Sequence, residues 1–382
     1  MTLLFLVIFL LYSLLILAFA HGLKRLEGET GSQSDCETGF SILVPFRNES
    51  GNLAALLESI RKLDYPAQKM EVLLIDDASE DNSVELIEKF IRDNQEVDLK
   101  LLANHKQGGS PKKKALEMGI REAVNPWIVT TDADCVLPPG WLRAMDALIR
   151  KKDPVMLAAP LTLESGKGFL DHFQLLDILS LQGATMGSFG AASKGIVRPF
   201  LCNGANLAYR KDAFAEVGGF EGNLAQASGD DVFLLEKMVS RHRSRVIFLK
   251  SEDAIVRTRP EKSWKELLQQ RVRWASKTTA YRHFFGKGAG ILVFAANAGL
   301  VFMVICSLLQ YIPWSFTGIL FLVKFNVDFF LLYRSAQFFG QTDSLRHYLP
   351  SSLLYPIFSA LVALMALAGG YQWKGRNYHK GS

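Results

Sequence analysis

The sequence predicts an α/β protein: a mixed, mostly parallel sheet with helices on both faces, joined to transmembrane helices. Three observations predict it. Between residues 40 and 131, short apolar runs rich in β-branched residues alternate with segments whose apolar residues recur at helical spacing. Several of those runs end in polar or acidic residues, at the strand ends where sheets of this kind collect their ligands. Four long apolar runs lie outside this region, at 3–20, 289–312, 314–333 and 350–370. Each is close to the ~20 residues a helix needs to cross a bilayer.

Taken in order, residues 1–22 form an N-terminal anchor. Residues 3–20 carry no charge, and His21, Lys24 and Arg25 come directly after them. The run is long, has no positive n-region and carries its basic residues on the wrong side for a cleaved signal, so it reads as uncleaved. Lys24 and Arg25 place the region after the anchor on the cytoplasmic side. Residues 23–39 are a polar linker. The α/β unit then fills residues 40–262. Ser41 to Val44 is a strand stopped by Pro45, and Leu53, Leu56, Leu57, Ile60 and Leu63 mark a helix. Met70 to Ile75 is a buried strand ending in Asp76 and Asp77. Asn82 or Ser83 caps the next helix, whose apolar face is Val84, Ile87, Phe90 and Ile91. Leu99 to Ala103 is a third strand, Lys114 to Ala123 a third helix, and Ile128 to Thr131 the strand that runs into Asp132 and Asp134. The stretch from Phe169 to Met186 has helical spacing and reads as core that also suits a position against the membrane.

Residues 263–286 form a basic amphipathic segment that suits the membrane interface. Residues 287–371 hold the C-terminal transmembrane or re-entrant helices, and 372–382 a basic tail. Lys324 and Asp328 are four apart and can pair on one helix face. If all four runs cross, Lys374, Arg376, His379 and Lys380 face away from the cytoplasm, against the positive-inside bias; if the middle run lies flat, the tail returns.

With 49% apolar residues and a net charge of +5, the chain is apolar but only mildly basic. Lys112 to Lys114, Arg241 to Arg245 and Arg271/Arg273 read as partners of phosphates or lipid headgroups. No nucleic-acid motif accompanies them, and no nucleic-acid partner is expected. Cys36, Cys135, Cys202 and Cys306 show no metal spacing and fit reduced thiols.

Asp132 and Asp134 stand at alternate positions beyond a strand end, a place to hold a hard divalent cation by oxygen ligands. Val44-Pro-Phe-Arg-Asn-Glu49, Asp76-Asp77 and Asp132-x-Asp134 gather at one sheet edge, where ordinary turns would not be expected to coincide. With Gly204-Ala-Asn-Leu-Ala-Tyr-Arg210, Val217-Gly-Gly-Phe220, Gly229-Asp-Asp231 and Gln270-Arg-Val-Arg-Trp274, these motifs stand in the order seen in family 2 glycosyltransferases. The resemblance covers about residues 40–275, and the flanking helices resemble membrane-bound members of that family.

The resemblance implies a GT-A fold and an inverting transfer. The donor would be a nucleotide-diphosphate sugar, the cation Mg2+ or Mn2+, and the acceptor a membrane lipid or glycan in contact with the lipid bilayer. Asp132 matches the acid near the ribose and Asp134 the metal ligand. Asp77 matches the acid that accepts from the base, while Asp76 equally suits a strand-end or capping role. Pro45, Arg47 and Glu49 match the loop against base and ribose, and Glu49 also suits the cap of the helix beginning near Asn52. Lys114 matches a basic residue near the diphosphate, with Lys112 and Lys113 facing solvent. Asp231 matches the catalytic base, with Asp230 where the family has Glu; both also suit a helix N-cap, and a swap of roles stays open. Arg273 matches the diphosphate contact, and Gln270 and Trp274 the acceptor side, although an interfacial helix with a snorkelling Arg explains the same residues. Specificity is expected from the loops at 203–206 and 218–223.

Three rival readings stay open, one of them a nucleotidyltransferase on the same sheet, which would leave Gln270-x-x-Arg273-Trp274 unexplained. A processive polysaccharide synthase needs a polymer channel, for which the C-terminal helices are few. A nucleotide-binding transporter or scaffold draws support only from Lys324 and Asp328.

Overall fold

The protein is described from a computed structural model, which covers residues 2–29, 35–104, 110–192, 197–222, 229–276, 284–369, 371–373 and 376–378. Parts of several motifs (Gly108, Gly109, Asn223, residues 277–283, and Lys374, His379 and Lys380 of the tail) lie outside the described residues.

The chain begins with helix α1 (Thr2–Arg25) and then alternates: β1 (Phe40–Phe46), α2 (Leu53–Arg61), β2 (Met70–Asp76), α3 (Ser83–Asp93), β3 (Leu99–Ala103), α4 (Pro111–Glu122) and β4 (Trp127–Thr130). Next come β5 (Cys135–Val136), α5 (Trp141–Lys152), β6 (Met156–Ala158), β7 (Leu161–Leu163), α6 (Phe169–Ala191), β8 (Leu207–Arg210), α7 (Lys211–Glu216) and α8 (Asp230–His242). The remainder is β9 (Val246–Phe248), β10 (Val256–Thr258), α9 (Trp264–Ser276), α10 (Phe284–Leu308), α11 (Trp314–Phe338), α12 (Tyr348–Ala368), and a hairpin of β11 (Tyr371–Trp373) and β12 (Arg376–Tyr378).

Seven strands form the main sheet in the order β3-β2-β1-β4-β8-β6-β9. The pairs β3-β2, β2-β1, β1-β4 and β6-β9 are parallel; β8 runs antiparallel to both neighbours. A short sheet, β5-β10-β7, braces the far side of the β4 end. The parallel half lies as the alternation predicts, because its strands are buried on both faces: Ile42, Leu43, Val44, Val72, Leu73 and Leu74 are all fully enclosed.

Two boundaries differ from expectation. Pro45 does not end β1 but sits inside it, opposite Ile75 of β2. Past Leu43 the strand has lost its β4 partner and pairs on one side only, where a residue without an N–H is tolerated. Helix α4 starts three residues early, because Pro111 occupies its first turn with φ already set for a helix. That brings all three lysines onto the helix.

Among the described residues, four helices are long and apolar enough to cross a membrane: α1, α10, α11, and α12 with the 3-10 turn before it. Helix α6 is not one of them, yet it joins them to the α/β unit. It packs along α1 and α11, and the crossing with α1 is so close that a Cβ on Gly22 would lie 2.0 Å from the Gly187 carbonyl oxygen. Phe19, Leu23, Leu176, Ile128 and Met156 therefore share one apolar core, so the first apolar helix is structurally continuous with the sheet. The linker is pinned rather than loose where it is described: the Glu29 N–H donates to the Lys250 carbonyl, and Lys151 pairs with Glu29 at 2.9 Å.

Lys324 and Asp328 form the expected pair, at 2.5 Å, and the Tyr12 hydroxyl donates to the same carboxylate at 2.6 Å. The pair thus ties α11 to α1. A third partner removes much of the cost of holding charge among apolar helices.

Candidate active site

The loop between β4 and β5 carries Asp132 and Asp134, and Thr130 anchors its base by donating to the Gly204 carbonyl at 2.6 Å. Gly204 belongs to the turn that faces the start of α8. A Cβ there would meet the Asp230 carboxylate at 3.3 Å and the Asp231 Cβ at 3.4 Å, so glycine lets the two segments approach closely without crowding the acids. The Gly204 N–H donates to Asp231 Oδ2 at 3.2 Å, and the Val232 N–H to Asp231 Oδ1 at 2.8 Å. Asp231 thus lies in the first turn of α8, whose N-cap is Gly229, and takes the Val232 N–H while its carboxylate stays at the cavity wall.

Lys112 is the residue that sequence reasoning misplaced. It does not face solvent. Its Nζ lies 2.6 Å from Asp132 Oδ1 and 3.9 Å from Asp230 Oδ2. Burial works against its charge, but the fields of Asp132, Asp230 and Asp231 outweigh burial and raise its pKa above the usual lysine value. Lys113 is fully buried, over the Phe233 ring at 5.4 Å, so it does not face solvent either. The signal was available: consecutive helical residues point about 100° apart, so three lysines in one turn must take three directions. Lys114 is not among the residues lining the cavity.

Asp132, Asp134, Asp230, Asp231, Lys112, Gln270, Arg273 and Trp274 line one cavity of about 430 Å3. Burial, then the charges of Asp132 and Glu49, push the Asp134 carboxyl up to about 6, against a hydrogen bond from Thr258. A site that resists ionising its second carboxylate is one that a hard divalent cation would relieve. The donor set fits such an ion: two carboxylates on one loop, the remaining positions left to other oxygen donors. No cluster of three or more His, Cys, Asp or Glu able to hold a metal occurs among the described residues.

This shift has a measurable consequence. An unfolded Asp titrates near ~3.9, so between about pH 4 and 6 the folded protein binds the extra proton and loses stability as pH rises through that window. The metal-free wild type is expected to melt at a higher temperature near pH 5 than near pH 7. Asp134→Asn is expected to flatten that slope, and an unchanged slope in the variant would assign the shift elsewhere.

On the β1 and β2 side, Arg47 donates to the carbonyls of Asp77 and Ala78 and pairs with Glu80 at 2.7 Å. Its guanidinium locks the two strand-end loops together. Asn104 donates to Asp77 Oδ1 at 3.2 Å, and the Ser79 N–H to Asp76 Oδ1 at 3.0 Å, so Asp76 is the turn-capping member of that pair. Glu49 accepts from Asn52 at 2.7 Å, the helix-start contact, while its charge is felt at Asp134. Pro45, Arg47, Glu49 and Asp77 thus border the carboxylate site without lining its cavity.

On the opposite wall, Gln270 donates to Glu261 and accepts from Arg271. Arg271 pairs with Asp177 of α6 at 2.5 Å and lies over the Trp274 ring at 4.2 Å. Sequence reading singled out Gln270, Arg273 and Trp274 and took Arg271 for a phosphate or headgroup partner; its partner is instead the buried Asp177, to which that reading assigned no role. The loop at 203–206 has an inner and an outer end. Asn206 is fully buried, accepts from the Trp141 indole, and donates to the Pro160 and Ala254 carbonyls, so it is a brace and not a specificity contact. Asn203 does line the cavity.

The profile of glycosyl transferase family 21 matches residues 4–380, nearly the whole chain. The chain belongs to glycosyl transferase family 21. Two curated relatives of this family 21 protein are similar over part of its length. A poly(ribitol-phosphate) β-N-acetylglucosaminyltransferase, TarS of Staphylococcus aureus, is 26% identical over 34% of this chain and 22% of its own. An undecaprenyl-phosphate 4-deoxy-4-formamido-L-arabinose transferase of Pectobacterium atrosepticum is 28% identical over 35% of this chain and 46% of its own. The family 21 chain thus spans less than half the length of either relative. Among solved structures, the mannosyltransferase PcManGT of Pyrobaculum calidifontis, in complex with GDP-Man and Mn2+, superposes with a TM-score of 0.58 at 17% identity, over 96% of this chain and 97% of its own. That likeness shows the fold, which is GT-A-like. The motifs point to family 2 and the profile to family 21; both readings make the chain a glycosyltransferase.

Proposed function

We propose that this protein transfers a sugar, with inversion, from a nucleotide-diphosphate sugar to a lipid or glycan acceptor at the cytoplasmic face of a membrane, using Mg2+ or Mn2+. One observation carries the reading: the four carboxylates of two motifs and the Gln270–Trp274 motif line a single cavity beside helices of membrane-crossing length. It is supported by the similar mannosyltransferase solved with GDP-Man and Mn2+ and by the relative named for undecaprenyl-phosphate.

Asp134 and Asp132 would hold the cation, which when bound supplies Lewis-acid stabilisation of the diphosphate leaving group. The chain's own residues do the rest. Asp231 takes the proton of the acceptor hydroxyl as that oxygen attacks, its carboxylate aimed by the Gly204 and Val232 N–H groups. Asp230 keeps Lys112 close, and the Lys112 and Arg273 cations neutralise charge on the departing diphosphate, a role given to Lys112 ahead of Lys114 because it alone of the two lines the cavity. Pro45, Arg47, Glu49 and Asp77 hold base and ribose. Gln270 and Trp274 border the acceptor.

Chelation with EDTA is expected to abolish transfer, and added Mn2+ or Mg2+ to restore it. Transfer that continues at the full rate in EDTA would remove the cation from the reaction.

A further inference from the structure

A second cavity, of about 680 Å3, lies among α1, α6, α10, α11 and α12. Its wall is mostly apolar: Ile16 and Phe19 from α1, Leu176 from α6, Phe294 from α10 and Leu331 from α11 are representative. Three of the charged groups that line it are held in pairs. Asp328 takes both Lys324 and the Tyr12 hydroxyl, and Asp177 takes Arg271. An occupant therefore meets mostly hydrocarbon, with Lys287 and the buried, unpartnered Ser351 hydroxyl as further polar groups in the wall.

This cavity adjoins the catalytic one. Asp177, Leu181, Val293, Tyr355 and Val362 line both. At that shared wall the Arg271–Asp177 pair stands beside Trp274, so a polar neck separates an apolar chamber among membrane-length helices from the carboxylates.

The geometry points to the apolar cavity as the seat of the acceptor's hydrocarbon chain, with the acceptor's hydroxyl passing the neck at Asp177, Tyr355 and Trp274 to reach Asp231. The inference rests on the reading of the acceptor as a lipid. It adds the subsite and the direction of approach: the chain enters from between the helices, and the head crosses to the sheet side. Apolar burial supplies the affinity, and the neck sets how far the head advances.

The test fills the chamber without touching the carboxylate site. Gly290 lines the apolar cavity alone, and a Cβ placed there meets nothing within 4 Å, so Gly290→Trp adds bulk without a backbone clash. Ala363→Phe does the same from α12. The full chain in phosphatidylcholine nanodiscs is irradiated with a long-chain fatty alcohol carrying a mid-chain diazirine. In parallel, transfer from labelled nucleotide sugar to a membrane lipid extract is timed, along with donor hydrolysis. Crosslinks are expected on α6, α10 and α12 in the wild type and lost in both variants. Displacing two methylene groups from the chamber should raise the apparent KM for the extract about tenfold. Donor hydrolysis is expected to be unchanged. Crosslinks that persist in the variants, or a KM that stays at the wild-type value, overturn the assignment. Crosslinks lost with donor hydrolysis falling in step would mean a structural lipid, which overturns it too. Wild-type protein that glycosylates no lipid at all removes the lipid reading itself, a different failure from a filled chamber that changes nothing.

Discussion

Replacing Asp231 with Asn is expected to lower kcat by roughly 10²–10⁴-fold while leaving donor affinity near the wild-type value. The substitution keeps the shape of the side chain and one oxygen, which can still accept from the Gly204 or the Val232 N–H. What it removes is the capacity to take a proton. Asp230→Asn is the control. Asp230 is more enclosed and lies against Lys112, so its loss should act on the placement of that cation and show in the donor's KM. If the kcat loss tracks Asp230 instead, the two acids exchange roles.

The largest expected effect on stability comes from Arg271→Ala. Arg271 and Asp177 are both nearly fully buried, and the contact between α9 and α6 is short. Removing the cation strands a buried carboxylate, at a cost of about 3–5 kcal/mol. The double change Arg271→Met with Asp177→Leu removes both charges and should recover most of the loss, because a well-packed apolar pair is often as stable as the ion pair it replaces. Thermal unfolding in detergent distinguishes the two. Equal destabilisation in the single and double variants would show that packing, and not the stranded charge, sets the cost.

The parallel half of the sheet was legible in the sequence because its strands and helices are contiguous and their burial repeats with the period of each element. Val72, Leu73 and Leu74, enclosed on both faces, belong to an apolar run too short for a helix and bounded by polar residues, which is how a buried strand is read. The second half was harder. Strands β6, β7, β9 and β10 have three residues each, too short for any period to show. At the site, residues in local motifs were found: Asp132 with Asp134, Asp230 with Asp231, and Gln270 with Trp274 reach one cavity. Partners made by tertiary contact were not. Nothing near Asp177 in sequence announces that it meets Arg271, 94 positions away. Lys112 was misread because a run of three lysines looks like a solvated surface until the helix containing them is given its true start at Pro111. The bracing role of Asn206, held by Trp141, Pro160 and Ala254, was likewise invisible, since each of those partners is distant in sequence.

The most direct test of the central claim is the mass of the product. Membranes containing the chain, supplied with a panel of labelled nucleotide sugars and Mn2+, should yield a chloroform-extractable species heavier than its parent lipid by one sugar residue, and the Asp231→Asn protein should yield none. Label that stays wholly in the aqueous phase with every donor, or an Asp231→Asn protein that makes the same product at the same rate, would contradict the account.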